Sequence, residues 1–338
     1  MRDFSADISC PVCGAGATRA IFQPVYTPKT TPWRERALTA GDARAAAGLA
    51  QGFRHCGECG FVFRPEDPDF VQAPGATRPI DDPARLAREF EAHRVDRSRP
   101  DMLAIYEWIG ATITIERLLD VGCEFGHLQK YFADRGCHTV GIDPNPGPVS
   151  IGRERLSLDL RLGWYDEGSF PSGSFDFISA ECVAYYFRPS LPAFLAIARR
   201  HLTPGGGLYL QIGGVEKLGD NFLPNYVRWL IPYENAESVF SHAGWTVLSK
   251  NKDHYRNGSY GVILRAEVTA PEKPVLDFAA IRRHLLCSDY NFLPFLRGPI
   301  PAPLQCLMTA LHRINPGGPL PGFYARALNR LTRAIGIR

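Results

Sequence analysis

The stretch from Arg117 to Asp143, RLLDVGCEFGHLQKYFADRGCHTVGID, sets the strongest constraint on what this chain can fold into. An apolar run ends in Asp120-Val121-Gly122, and a turn holding a second glycine, Gly126, follows. Then come a helical pattern, another apolar run and a terminal Asp143. Strand, glycine turn, helix and strand in that order form a βαβ unit, which needs a parallel sheet covered on both faces. The rhythm continues downstream. Strands are expected at Leu118–Val121, Thr139–Ile142, Leu160–Leu162, Phe175–Ala180 and Gly207–Ile212, with helices near Gly126–Arg135, Pro148–Leu156 and Ser190–His201. After a helix around Asn235–Ala243, the run GWTVLSKNKDHYRNGSYGVILRAEV holds two β-rich segments joined by a turn-rich stretch. They are expected to close the sheet as an antiparallel hairpin. The fold class is therefore α/β, a Rossmann-like seven-stranded sheet with an antiparallel terminal hairpin.

The glycine turn also restricts the ligand. Dinucleotide turns carry Gly-x-Gly-x-x-Gly, because the middle glycine lets the backbone approach a pyrophosphate. Here Cys123, Glu124 and Phe125 separate Gly122 from Gly126, and the carboxylate of Asp120 closes the strand. An acid in that place suits a ligand with a positive end rather than a phosphate. S-adenosylmethionine (SAM) has such an end, an ammonium beside a sulfonium. Asp143 suits its two ribose hydroxyls as a bidentate acceptor.

Four ordered segments, Asp120 to Gly126, GIDPNP, SGSFDFISAECVAYYF and HLTPGGGLYLQI, resemble the successive motifs of class I SAM-dependent methyltransferases over roughly residues 113–267. The resemblance implies that Asp120, Gly122, Cys123 and Gly126 line the methionine end of SAM and that Asp143 holds the ribose. It places adenine beside LGWYDEGSF, where Trp164 and Asp166 stand in place of the acid that often follows the glycine. It leaves the general base open. Family members often carry a histidine at the position of Tyr185, so Tyr185, Glu181 and His242 are the catalytic candidates, with Tyr233 behind them. Glu124 occupies a turn position that a glycine would fill more easily; its side chain is expected to point to solvent, with a second acceptor near the SAM ammonium as the alternative.

Upstream, Cys10, Cys13, Cys56 and Cys59 form two Cys-x-x-Cys pairs among nine cysteines. Without a secretory h-region in MRDFSADISCPVCG, such pairs argue for metal over disulfides, and four thiolates suit structural zinc. A redox dithiol and four free thiols are the competing readings. The expected division is a zinc-ribbon-like module over residues 1–75, a helical linker or lid over 76–112, the methyltransferase domain over 113–269 and a helical extension over 270–338. Bacterial enzymes that methylate sugar nucleotides and other biosynthetic intermediates combine such a module with such a domain.

Charge bears on the partner. Residues 1–75 hold eight acidic and eight basic side chains, which is a poor surface for phosphate contacts. No nucleic acid is therefore expected, and an RNA methyltransferase with the zinc module as reader stands second. A fold retained only for binding stands third. The expected partner is a small acceptor, sugar nucleotide or natural-product intermediate, methylated at carbon or oxygen. From Ala270 onward the chain has nine Lys or Arg against three acids, and Arg326, Arg330 and Arg333 fall at helical spacing. That suggests a solvated helix face, with a clamp for an anionic acceptor or weak membrane-surface contact as alternatives. No run approaches the length of a membrane span, so a cytoplasmic location is expected. Oligomeric state is not readable.

Overall fold

The structure is a computed structural model describing residues 8–22, 53–65, 82–94, 100–184, 187, 190–214, 229–255, 259–267 and 270–281. These fall into two units. One holds residues 8–22, 53–65, 213–214, 229–239 and 272–281; the other holds 82–212 and 240–271 as far as they are described.

The larger unit is built on a seven-stranded sheet. Its strands are β4 (Arg117–Val121), β5 (His138–Asp143), β6 (Asp159–Leu162), β7 (Phe175–Ala180), β8 (Leu202–Gly213), β10 (Thr246–Asn251) and β11 (Ser259–Arg265). The order across the sheet is β10-β11-β8-β7-β4-β5-β6. β4 pairs in parallel with β5 on one side and β7 on the other, while β10 and β11 are antiparallel. The chain thus winds outward from β4 in one direction and resumes beside it in the other. The crevice beyond the carboxyl ends of β4 and β7 is where such sheets place ligands. The Rossmann-like sheet and its reversed final hairpin agree with the sequence expectation. β4, β5 and β7 are buried along nearly their whole length, which explains why they read as continuous apolar runs.

Register then sorts side chains by face. Leu118 of β4 pairs with Thr139 of β5 and Phe177 of β7. Leu118 and Phe177 join Tyr209, Ile263 and residues of two helices in one apolar cluster. Those helices are α2 (Pro100–Thr112), contributing Ile105, Tyr106 and Ile109, and α3 (His127–Ala133), contributing Leu128 and Phe132. The expected linker thus includes a core helix: Ile109 is fully buried in the sheet's own cluster, so the packing of this unit begins before residue 113. α1 (Pro83–His93) starts at Asp82, whose carboxylate accepts from the Ala84 amide at 3.0 Å. Its buried face, Leu86 and Phe90, packs on Phe125 of the glycine turn and on Ile151 and Leu156 of α4 (Pro146–Leu156). Among the described residues no helix is long and apolar enough to cross a membrane.

The smaller unit is a four-stranded sheet in the order β1-β2-β3-β9: β1 (Thr18–Phe22), β2 (Phe53–Cys56), β3 (Val62–Phe63) and β9 (Trp229–Leu230). Only the first three lie in the module expected at residues 1–75. β9 comes from far downstream and pairs antiparallel with β3, covering an edge that would otherwise be exposed. Residues 272–276 join the same unit: Asn235 brackets Leu276, accepting its amide at 2.7 Å and donating to its carbonyl at 3.0 Å. Of the tail helices only the beginning of the first is described, where Asp277 accepts from the Ala280 amide at 2.8 Å. Arg326, Arg330 and Arg333, and with them the clamp and membrane-surface alternatives, lie outside the described residues.

Candidate functional site

The glycine turn is locked from several sides. Gly122 has φ +76°, and a Cβ there would lie 2.2 Å from Val183 Cγ1, so no other residue fits. Gly126, also left-handed, is the N-cap of α3. Glu124 is left-handed too, at φ 49°, a conformation that costs a side-chain-bearing residue about 1–2 kcal/mol. Its side chain is half-buried rather than turned to solvent, which corrects the expectation. Burial raises its carboxyl pKa, the charge of His93 counters this, and Asp143 and Glu89 add to the rise. The Cys123 side chain also departs from the expected role: it packs in the core with Val149 and Leu160. Burial and the neighbouring charges of Asp120 and Asp143 hold its thiol protonated.

The two key acids share a face. Asp120 pairs in register with Gly141 and Ser179, and Ser179 with Tyr209. Side chains in register lie on one side of a sheet, and so do residues two apart along a strand. Asp143 therefore stands on the same side as Asp120, one step nearer the carboxyl edge. The polar row Gly141, Asp120, Ser179 and Tyr209 follows directly on the apolar row of Leu118 and Phe177. Ser179 Oγ donates to Asp120 Oδ1 at 2.8 Å. With its amide oriented to suit both neighbours, Gln129 of α3 donates to Asp120 Oδ2 at 3.3 Å and accepts from the Gly141 amide at 3.2 Å. A Cβ on Gly141 would collide with that amide at 1.8 Å, which accounts for the glycine. Asp143 accepts from the Glu124 amide at 3.1 Å and from the Asn145 amide at 2.7 Å. Both carboxylates are 5% exposed.

Burial pushes the Asp120 carboxyl up to about 8; Ser179 opposes this, and the charges of Glu181 and Asp143 reinforce it. Asp143 is also raised, chiefly by burial, with the Asn145 and Glu124 amides opposing. The sign for stability follows. The folded chain keeps the Asp120 proton to about pH 8, whereas the unfolded chain releases it near 3.8. This contribution is full at low pH and is lost as pH rises through the folded value. Asp120→Asn stays neutral throughout, so its thermal midpoint is expected to gain on wild type as pH rises from 6 to 9 in ligand-free protein. A flat difference in a pH series of melts contradicts this account.

The remaining candidates are dispersed. Trp164 follows β6 and is 61% exposed. Asp166 is engaged in its own turn, accepting from the Gly168 amide at 2.9 Å and Ser169 Oγ at 3.0 Å. Tyr165 between them points inward and its hydroxyl meets Nδ1 of His201, the last residue of α5 (Leu191–His201), at 2.8 Å. Glu181 is half-buried just past the carboxyl end of β7, on the strand beside β4. Tyr185 lies outside the described residues. His242 ends α6 (Ala236–His242), which leads into β10. That edge strand is four positions from β4 and so about 19 Å across the sheet, far from the carboxylates. Tyr233 opens a short 3-10 turn, Tyr233–Asn235, in the smaller unit. Ser179, Gln129, Val183, Tyr209 and Tyr255 were not anticipated. For Ser179, Gln129 and Tyr209 the one sequence signal is a polar group in an otherwise apolar strand or helix face; Val183 and Tyr255 lie in turns and carry no such signal.

In the smaller unit the four cysteines converge. All four sulfur atoms lie within 4.8 Å of one another, with Cys10 and Cys59 Sγ 3.7 Å apart and Cys13 and Cys56 Sγ 3.5 Å apart. Zinc–sulfur bonds of about 2.3 Å in a tetrahedron give edges of about 3.8 Å, so the donor set fits zinc as it stands. The two turns are copies of each other. Gly14 donates to Cys10 O and Gly60 to Cys56 O; Cys10 donates to Ala15 O and Cys56 to Phe61 O. Hydrogen bonds from the Cys10 and Cys59 thiols hold Cys56 far below the ordinary thiol range, while Cys10 is pushed up to about 12, first by its bond to Cys56.

Comparison with known proteins agrees with this geometry. Residues 119–210, the segment carrying Asp120, Asp143 and Glu181, match the family described as "Methyltransferase domain". This segment is thus similar to known methyltransferase domains. The chain is 29% identical over 116 residues to the malonyl-[acyl-carrier protein] O-methyltransferase of Serratia marcescens, covering 33% of this chain and 45% of that protein. It is 33% identical over 135 residues to the nocamycin O-methyltransferase of Saccharothrix syringae, covering 37% and 48%. The chain thus spans about half the length of these curated relatives. A solved SAM-dependent methyltransferase from Aquifex aeolicus superimposes with a TM-score of 0.41 at 18% identity, over 55% of this chain and 98% of that one.

Proposed function

We propose that this protein is a SAM-dependent methyltransferase acting on carbon or oxygen of a small biosynthetic acceptor, with zinc held structurally by Cys10, Cys13, Cys56 and Cys59. The observation that carries the reading is the placement of Asp120 and Asp143 on one face, at the carboxyl edges of adjacent strands, where the strand order reverses. SAM supplies a methyl group on a positively charged sulfur. Asp143 would hold the ribose diol, the Gly122–Gly126 turn would approach the methionine portion, and Asp120, braced by Ser179 and Gln129, would lie beneath it and give up its proton as the donor's positive end arrives. Trp164 offers an aromatic face for adenine at the end of β6. Relatives named for O-methylation of malonyl-acyl-carrier protein and nocamycin support a small or carrier-bound acceptor and favour oxygen. Such transfer needs alignment above all, and a base only where the acceptor must lose a proton.

Isothermal calorimetry with SAM and with S-adenosylhomocysteine tests the reading. Both are expected to bind folded, zinc-loaded protein at one site per chain. Absence of heat from either ends it.

A further inference from the structure

Burying an amide side chain costs free energy unless its groups are met, yet Gln129 is fully buried beside Leu128 and Phe132 on the inner face of α3. Two donors fix which way it faces. The Gly141 amide lies 3.2 Å from one end, and the Cys123 thiol, kept protonated by burial, meets the same end. Both side chains crowd the spot that a Gly141 Cβ would take, the Gln129 amide at 1.8 Å and the Cys123 sulfur at 2.7 Å. That end is therefore the oxygen. The NH2 group is left to Asp120 Oδ2, at 3.3 Å. Turning it away would set donor against donor at Gly141.

This asymmetry bears on the charge of Asp120. Its Oδ1 faces the Ser179 hydroxyl at 2.8 Å, which donates or, by rotating, accepts. Its Oδ2 faces the fixed NH2 group. A neutral carboxylic acid must therefore carry its proton on Oδ1, where Ser179 gives up its donor bond to receive it. An ionised carboxylate keeps both bonds. Donors to the charged form favour that form, and burial opposes it. The balance leaves the carboxyl at about 8, close enough to neutrality for a bound cation to tip it. Among the described residues no basic group acts on it: its titratable neighbours are Asp143 ending β5, Glu181 after β7 and Cys123 in the turn. On β8 the Tyr209 hydroxyl is engaged with that of Tyr255 at 2.9 Å. On α3, Lys130 pairs with Asp134, and His127 meets the Phe90 carbonyl at 3.0 Å.

We propose that Gln129, oriented by Gly141 and Cys123, is a positioning residue that sets the proton affinity of Asp120 and so couples donor binding to the release of one proton. This rests on the SAM reading above and adds to it a residue that acts through Asp120. The proton balance is explicit. Near pH 7 the ligand-free carboxyl holds its proton. When the positive end of the donor arrives, the O–H bond breaks, its electron pair stays on Oδ1, and the proton passes to water. Gln129 and Ser179 then hold the carboxylate by both oxygens. Affinity therefore rises with pH and levels off once the ligand-free carboxyl is already ionised. Without the Gln129 donor, expelling the proton costs more at neutral pH and costs nothing where no proton is bound.

Calorimetry of S-adenosylhomocysteine on the full zinc-loaded chain, in two buffers of different ionisation heat, counts the protons. Wild type is expected to release about one per bound ligand at pH 7. Two variants isolate Gln129. Gln129→Met keeps the volume and loses the donor, whereas Gln129→Glu keeps an acceptor for the Gly141 amide and turns an acceptor toward Asp120. Losing one hydrogen bond to a charged group moves a carboxyl by about one pH unit. The ratio of the Gln129→Met Kd to that of wild type should therefore be about 10 at pH 7 and fall to within about twofold by pH 9.5; ionisation of the ligand itself cancels from the ratio. Gln129→Glu should raise the ratio at pH 7 further. Thermal melts at each pH confirm that the variants are folded. A ratio that is the same at every pH, as a merely structural role gives, overturns the proposal, and so does binding to wild type at pH 7 without proton release. If wild type binds no S-adenosylhomocysteine, it is the SAM reading that fails.

Discussion

Asp143→Asn should raise the Kd for S-adenosylhomocysteine by about two to three orders of magnitude while leaving the fold intact. The carboxylate accepts two backbone amides, from Glu124 and Asn145. Its remaining lone pairs would accept the two ribose hydroxyls. Hydrogen bonds to a charged group are worth about 1.5–3 kcal/mol each, and two of them set the size of the loss. An asparagine has one acceptor oxygen, and its amide group must face either a backbone N–H or a ribose hydroxyl that needs an acceptor. The fold should tolerate the change for a separate reason. Burial raises the Asp143 carboxyl pKa, so its ionised form costs the ligand-free fold stability at neutral pH. A neutral amide removes that cost and offsets the weakened turn. Calorimetry alongside a thermal melt separates the two effects. An affinity loss below about tenfold, with an unchanged melt, would remove Asp143 from the ribose site.

The contrast between Asp143 and Glu124 shows what this sequence discloses. Asp143 was legible because it ends an apolar run one βαβ unit after Asp120, and parallel registers are set by such runs. Glu124 was not, since nothing local says whether a left-handed residue turns its side chain inward. That depends on α1, where the charge of His93 acts on it. Cys123 sits in the turn and so read as a cofactor contact, yet its direction is fixed by Val149 and Leu160 behind it. β9 has two residues, too few to show any periodicity, and its partner β3 lies more than 160 positions earlier. Gln129 and Tyr255 act through tertiary contacts alone. The four thiols were the opposite case, because Cys-x-x-Cys spacing is itself the local geometry of each turn.

Those thiols carry the second large effect. The smaller unit has strands of five, four, two and two residues, too short to be stable as a sheet without another source of energy. Structural zinc in small sites contributes about 10–16 kcal/mol at neutral pH, which is more than such a sheet can replace. Stripping the metal with a strong chelator is therefore expected to open this unit as a whole. Elemental analysis should find one zinc per chain before treatment and none after. Four further thiols should become reactive to a disulfide reagent, beyond exposed Cys182, which reacts in either state. Hydrogen exchange should accelerate at the Cys10, Gly14, Cys56 and Gly60 amides, whose bonds define the two turns. It should also accelerate at Leu276, because Asn235 holds that amide and packs on Gly60. A redox dithiol predicts a different pattern: no bound metal, and loss of thiols in pairs on mild oxidation without unfolding. Retained protection at Gly14 and Gly60 after complete metal removal would show that the protein, not a cation, brings the four sulfurs together.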